Sequence, residues 1–490
     1  MLSITEKMVP CLICFLFTIA LLSAVFSGCG SHGNLGKTQG GRVQRFSSYR
    51  DIPGVTNEEI AAIEAIRQQG QPLIFGMQLN TEAFLDFDGE IKGFNVLLCE
   101  WLTELFGIPF VPRHYAWLDL LSGLESGEIA FTGELTPNEE RRKTYFMTGT
   151  IAQRSLKYFR LEGSPSFNEI AQTRLPRYTL REGTTVAVDA ITHATRQFEP
   201  VFIQNYNDVY ELLRTGAADA LITEGVQEAY WEAYSDVVIS DFYPLLYSPV
   251  SLSTQTSSLS PIISVFQKAL ENGAVNYLNE LYETGNDDYL KHKLYLQLTP
   301  REREYIKQNP VIRLGAEYDS YPVSYFNERY QQWQGIAFDV LGIVSSLTGL
   351  EFNPVHGTAV ELFHMLETGE VDMITELIRT AERRGYFLWP ENSFMTERSV
   401  LISRLDYRNV SVYRIYSERV GVCKGTAQAE FFHNWFPNHP NIIEYDDQTE
   451  LFNALKKNEV DLVMNSYSSL LNLTNYQELP DFKANIVFGN

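Results

Sequence analysis

The sequence predicts an α/β protein made of two tandem units, each of two α/β lobes, and three observations carry that prediction. The stretch at 133–147, GELTPNEERRKTYFM, has a second copy at 375–389, TELIRTAERRGYFLW. Glu134 falls on Glu376, Leu135 on Leu377, and Glu140, Arg141 and Arg142 on Glu382, Arg383 and Arg384, always 242 residues apart. The same spacing pairs Gly93 with Gly335, Gly107 with Gly349, Phe110 with Phe352, Pro112 with Pro354, Gly127 with Gly369 and Asp219 with Asp461, which marks a tandem duplication of the whole chain rather than one shared motif. Within each copy, apolar strand-like runs alternate with amphipathic helical stretches, the βαβ rhythm of a parallel sheet with helices on both faces. At 490 residues the chain also exceeds what one hydrophobic core organises.

The chain opens on an apolar run at 10–28 that ends in small residues, as the hydrophobic region of a secretory signal does. Residues 1–28 therefore read as a leader, and the remainder as leaving the cytoplasm. Phe26-Ser27-Gly28-Cys29 resembles a bacterial lipoprotein cleavage box, with Phe26 where Leu or Val is usual, and makes Cys29 the lipid attachment site. Retained instead of cleaved, the same run is long enough to span a bilayer, for which about 20 apolar residues suffice. The anchor is thus either a lipid or this segment. Residues 29–55 read as a flexible linker, rich in Gly, Ser and Gln.

Thr56-Asn57-Glu58-Glu59 is a capping box that opens a helix, and Thr299-Pro300-Arg301-Glu302 is another with Pro at the first helical position. A lead-in helix so introduces each unit. The first unit spans 56–285, a linker and lead-in helix 286–310, and the second unit 311–490. Residues 73–77 and 311–315 read as buried strands. Gly93 and Gly335 then lead into amphipathic helices that end at Gly107 and Gly349. Residues 185–188 and 419–422 read as strands of the second lobes, each followed by a helix. In the first unit, 260–283 supplies helical segments expected to return to the first lobe; the second unit stops before any such return, so it reads as C-terminally truncated.

Composition removes several classes of function. A formal net charge of −22 and the lack of a basic cluster argue against nucleic acid, whose binding rests on Lys and Arg neutralising phosphates. Aromatics make up 13% of the chain, ample material for cores and for flat walls around a small ligand. Cys99 and Cys423 are the only cysteines past the leader and Cys29, so no disulfide framework is expected. The eight His form no zinc-type cluster, and His433 and His439 read as surface. Gly28-Cys29-Gly30-Ser31-His32-Gly33 matches Gly-x-Gly-x-x-Gly but opens no helix of a βαβ unit, so it is no nucleotide site. No cofactor, metal or catalytic constellation is expected.

The chemistry concentrates at the twin motif. A small zwitterion needs a guanidinium fork for its carboxylate, with hydroxyls and free helix N–H groups for the remaining lone pairs. Thr136-Pro137-Asn138-Glu139 reads as a capping box that would set free backbone donors near Arg141. A purely local alternative has Thr136 capping its helix and Arg141 paired with Glu134.

The order of helix, Gly, a Gly-x-x-Asp-like step, a turn and Glu-Arg, with Met147 or Trp389 six residues on, resembles the extracytoplasmic solute-binding proteins of the polar amino-acid type, family 3, the Venus flytrap domains, over 71–285 and 311–490. The resemblance implies two tandem periplasmic-binding-protein-like (type II) units, each of two α/β lobes with a hinge. It implies Arg141 and Arg383 as carboxylate ligands. Its Val-Gly-Val-x-x-Gly-Thr step is intact at Val420 to Thr426 and is matched at Val186 to Thr192, with Ile191 in place of the Gly, so Thr426 and Thr192 become candidates. An acid five residues after Asp219, Glu224, would hold an α-ammonium; the second unit has Ser466 there. Trp117 stands where the second unit has Ala359, and Ile378 replaces Thr136. Ligand binding is therefore expected at Arg141, Thr136, Thr192, Glu224 and Trp117, and in the second unit at Arg383 and Thr426.

Tandem flytrap domains resemble the sensory half of membrane histidine kinases and diguanylate cyclases. The expected function is extracytoplasmic binding of an amino acid or related carboxylate by lobe closure, without catalysis, coupled to signalling output domains. Two alternatives are a lipoprotein component of an ABC transporter that works with a permease and, further off, the non-catalytic part of a cell-wall lytic enzyme.

Overall fold

In the computed structural model the described residues are 44–489 except Glu382, and they form two compact units that divide between Lys293 and Leu294. The expected leader, Cys29 and the linker up to residue 43 lie outside the described residues. The remainder of the expected linker is not a tether. Phe46, Tyr49 and Ile52 recur every third residue and are buried in the core of the first unit, where Tyr49 stacks on Phe106 and the Trp101 indole donates to the Phe46 carbonyl at 3.0 Å.

The first lobe of the first unit begins with the helix Asn57–Gln68, held by the Thr56 and Glu59 capping box. Strand Leu73–Met77 runs parallel between Phe110–His114 and Phe131–Leu135. Helix Phe94–Phe106 buries Phe94, Leu98, Trp101, Leu102 and Leu105 against this sheet and stops at Gly107 in the left-handed region. Helix Ser260–Ala269 adds Ile262, Ile263, Val265 and Phe266 to the same core.

The two lobes share one sheet because the strand Phe146–Leu161 is 16 residues long. Its first half pairs with the returning strand Tyr247–Thr254, and its second half with Ala220–Glu224 and Val237–Asp241. In the second lobe Arg177–Arg181 lies parallel between Glu199–Ile203 and Ala220–Glu224. Asp219 fixes the strand start, accepting from the Arg177 backbone N–H at 2.7 Å, as Asp461 does from Arg419 at 2.9 Å in the second unit.

In the second unit Val311–Ala316 runs parallel to Glu351–His356 and Met373–Ile374. A separate five-stranded sheet holds Ile442–Tyr445, Val420–Cys423, Leu462–Ser466, Ser399–Arg404 and Phe482–Val487. Phe482–Val487 takes on Ser399–Arg404 the antiparallel place that Val237–Asp241 takes on Phe146–Leu161, and it is the last strand among the described residues.

Three expectations need correction. The β-branched run at 185–188 is not a strand: Thr184 caps the helix Thr185–His193 by accepting from the Ala187 N–H, and Val186, Ala187 and Ala190 are buried at helical spacing. The strand lies eight residues earlier, at Arg177–Arg181, 242 residues before Arg419 to Cys423. Gly285 ends nothing, for it lies inside the helix Val275–Gln297, and residues expected as linker continue that helix. A Cβ at Gly285 would stand 2.3 Å from the Phe94 backbone nitrogen, which explains a glycine within a helix. His439 is buried, bonded to the Ile415 carbonyl at 2.8 Å, whereas His433 is exposed beside Glu444.

The twin glycines before the long first-lobe helices share one constraint. Gly93 has φ +107 and Gly335 φ +120, and an added Cβ would approach the Glu82 and Val323 carbonyl oxygens to 2.6 and 2.4 Å. Gly93→Ala should therefore destabilise the first unit by about 2 kcal/mol or more through combined strain and overlap. Gly89→Ala, also at positive φ but with no atom within 4 Å of the new methyl, should cost only about 1 kcal/mol. Denaturant titration of both variants checks this, and equal losses would remove the carbonyl clash as the cause.

Candidate functional site

The cleft of the first unit lies where strand ends from both lobes meet. The first lobe contributes Glu134 and Thr136 at the end of Phe131–Leu135, Trp117 at the start of the helix Trp117–Ser126, and Arg141 from the short helix Arg141–Thr144. The second contributes Arg181 from Arg177–Arg181, Thr184 and Thr185 at the helix start, and Glu224 from Ala220–Glu224. With Arg154 of the long strand, these groups line one cavity of about 60 Å³.

Arg154 is buried and gathers three carboxylates. Its Nη2 lies 2.6 Å from Glu82 and 3.0 Å from Glu134, and its Nη1 lies 3.1 Å from Glu224. Only Glu224 belongs to the second lobe. The remaining lone pairs are partly met by the Tyr282 hydroxyl, 3.2 Å from Glu82, and by the Gln78 N–H, 3.3 Å from Glu134. Burial raises the Glu134 carboxyl despite the Arg154 charge. Around Arg154, burial works to lower the guanidinium, and the charges of Glu134, Glu82 and Glu224 more than reverse it.

Glu134 therefore pairs with Arg154, not with Arg141. Arg141 is half-buried, its Nη1 donating to the Thr136 carbonyl at 3.3 Å, and burial lowers its pKa. Thr136 does not cap that helix. Asn138 accepts from the Arg141 N–H at 2.8 Å instead, leaving the Thr136 hydroxyl 3.3 Å from those of Thr185 and Ser248. Thr192 is outside the cleft: it is exposed on the helix Thr185–His193 and donates to the Val188 carbonyl. Its expected place belongs to Thr184, which stands 242 residues before Thr426, just as Gly183 stands before Gly425. Both threonines cap the following helix, and both glycines have positive φ. Sequence reasoning missed Thr184 although the repeat spacing points to it. Arg154 and Arg181 carry no such signal, since the second unit has Thr396 and Cys423 at their places.

In the second unit Arg383 and Thr426 line a much larger cleft, about 2210 Å³. Arg383 is buried and already engaged, with Nε 3.1 Å from Glu430, Nη2 donating to the Gly425 carbonyl at 2.8 Å, and the guanidinium over the Phe363 ring. Glu376, the twin of Glu134, has no guanidinium in ion-pair contact among the described residues. It accepts from the Ser320 and Ser324 hydroxyls at 3.0 and 2.9 Å. Burial, and then the charge of Glu317, raise Glu376 well above the usual carboxylate range. Burial and Asp319 push Glu317 itself up to about 7.

A two-lobed α/β unit, its lobes joined by long strands and its polar cleft at strand ends, is the architecture of an extracytoplasmic solute-binding protein. The model of the bacterial extracellular solute-binding proteins, family 3, matches residues 73–282 and 312–434, one stretch in each unit. The chain belongs to this family and carries two of its type II periplasmic-binding-protein-like units in tandem. Sensor protein EvgS of Escherichia coli (strain K12) is 25% identical over 226 residues, 44% of this chain and 18% of that protein, so the matched region spans under a fifth of that relative's length. Among solved structures, the BvgS periplasmic domain of B. pertussis is 16% identical, with 87% of this chain and 84% of that chain covered and a TM-score of 0.38. The amino acid ABC transporter substrate-binding protein AbpA from Streptococcus pneumoniae, bound to L-arginine, is also 16% identical, with 47% and 98% covered and a TM-score of 0.37. Among the described residues no helix is long and apolar enough to cross a membrane.

Two outcomes follow from these charges. Arg154→Gln strands two buried carboxylates, Glu82 and Glu134, and the partly buried Glu224, and should lower the stability of the first unit by about 3 to 5 kcal/mol, measured by denaturant unfolding; a loss below about 1 kcal/mol would show that the carboxylates do not depend on it. In the second unit the folded Glu317 carboxyl lies above its ordinary 4.5, so its contribution is fully present below pH 4.5 and lost as pH rises through about 7. The melting temperature of the second unit should therefore fall between pH 5 and 8, and Glu317→Gln should flatten that slope. Identical slopes would remove the pair as the cause.

Proposed function

We propose that the first unit is an extracytoplasmic receptor for a small amino acid, and that the tandem is the sensory portion of a transmembrane signalling protein. The observation that carries the first part is Arg141: a half-buried guanidinium lining the inter-lobe cavity with no carboxylate in ion-pair contact among the described residues. Thr136, Thr184 and Thr185 at the N-terminus of the helix Thr185–His193 line the same cavity, a set of donors suited to a ligand carboxylate. Glu224, with one oxygen on Arg154, stands at the cavity to take an ammonium. The signalling part is supported by family membership and by the likeness to a sensor protein.

A ligand of this kind would bridge the lobes and draw them together only by as much as it prefers the closed arrangement. The second cleft is a poorer amino-acid site. Arg383 would have to give up Glu430, and Ser466 offers no charge to an ammonium.

Calorimetry of the full chain against a panel of amino acids tests the reading. One binding event is expected, weakened by about 2 to 5 kcal/mol in Arg141→Ala and comparably in Glu224→Gln. Unchanged affinity in Arg141→Ala, or binding that survives there but is lost on changing Arg383, would move the receptor role out of the first cleft.

A further inference from the structure

Arg181 has no role in the proposed contacts, yet it stands beside aromatic rings from both lobes. Its guanidinium carbon lies 5.6 Å from the centre of the Trp117 ring and 5.5 Å from that of Tyr206. Trp117 comes from the first lobe and Tyr206 from the second, and the Tyr206 hydroxyl is fixed by Thr223 at 2.8 Å. Cation–π contact holds a guanidinium without an ion pair, and with five N–H donors Arg181 keeps some for a ligand beyond its contact with the Tyr206 hydroxyl.

The charges of the cavity wall make the position unusual. Five charged residues line it: Glu134, Arg141, Arg154, Arg181 and Glu224. Both acids are drawn onto Arg154, together with Glu82. What remains is two guanidiniums, Arg141 and Arg181, neither in an ion pair among the described residues. A ligand with a single carboxylate would leave one of them desolvated and without a carboxylate in direct contact. Arg181 is also not required by the fold of its lobe, because the second unit builds the same strand end with Cys423.

We infer that Arg181 is the specificity residue of the first cleft, binding the side-chain carboxylate of an acidic amino acid whose α-carboxylate is held by Arg141. The inference rests on the amino-acid reading above and narrows it to ligands of the aspartate and glutamate class. Planar, bidentate recognition also accounts for Arg where Lys would offer only a point charge.

The test is calorimetry of the full chain with L-aspartate and L-glutamate against their amides, L-asparagine and L-glutamine. At least one acid should bind about 30-fold or more tighter than its amide, the lower end for a buried charge pair. Arg181→Gln should erase that preference while the amide binds as before, and Arg181→Lys should restore part of it. Tighter or equal binding of the amides to the wild type, or an acid preference that persists in Arg181→Gln, overturns this inference alone. Binding of none of the four overturns it together with the reading on which it rests. Unfolding curves of Arg181→Cys, which installs the residue of the second unit, should match the wild type.

Discussion

The first unit depends on one guanidinium. Arg154 sits on the strand that belongs to both lobes, and three carboxylates converge on it from two directions. Burying that many acids around one cation is tolerable only when nearly every lone pair and donor is matched, because desolvation otherwise exceeds the Coulombic gain. Arginine can do this where lysine cannot, since its five N–H donors lie in one plane and address several carboxylates at once. The cluster also determines what the cleft has left to offer. With Glu134 and Glu224 turned toward Arg154, the cavity faces Arg141 and Arg181, neither of which has an acid in ion-pair contact among the described residues.

The second unit shows what the same frame becomes without that guanidinium. At the shared spacing of 242 residues, Thr396 replaces Arg154, Ser324 replaces Glu82 and Ser466 replaces Glu224. Only the acid of the twin motif persists, as Glu376, and it has exchanged a cation for two serine hydroxyls. The changes are chemically consistent: once the cation is absent, every extra carboxylate is a liability, and hydroxyls can still donate to the one that stays. Arg383 has likewise turned to Glu430 and the Gly425 carbonyl. The duplication thus preserved the fold and divided the chemistry, leaving one cleft rich in guanidinium and the other with two neighbouring acids, Glu317 and Glu376, both raised by desolvation.

Much of the frame was legible because it is periodic. Gly93 and Gly335, Gly107 and Gly349, and Asp219 and Asp461 do the same structural work in both units, so their spacing reports backbone constraints that any copy must satisfy. The misplacement of Thr192 arose where a β-branched run imitated a strand; helix capping by Thr184 and burial at helical spacing overrode local propensity. Thr136 failed as a cap for a related reason, since a short polar side chain has several backbone and side-chain partners within reach and Asn138 took the role. Arg154 and Arg181 were invisible because they break the repeat. A site residue that distinguishes two copies cannot be found by what the copies share.

On the proposed reading the cluster also sets the scale of the signal. Glu224 is its single member from the second lobe, so through Arg154 the cluster connects Glu82 and Glu134 of the first lobe to Glu224 of the second before any ligand contributes. Further contacts act alike: the Thr81 N–H donates to the Val226 carbonyl at 2.9 Å, and the Thr136 and Thr185 hydroxyls stand 3.3 Å apart. A ligand can add only the difference between its affinities for the two arrangements, so a closure already favoured leaves little to report. Sensitivity to a ligand then requires an opposing term, and Arg141 and Arg181 provide one. Two guanidiniums brought into the same small cavity repel each other and lose water as the lobes approach, a cost that an anionic ligand removes. On that reading the acids on Arg154 would favour closure, the guanidiniums without an acid in contact would oppose it, and the balance between them is what a small anion would tip.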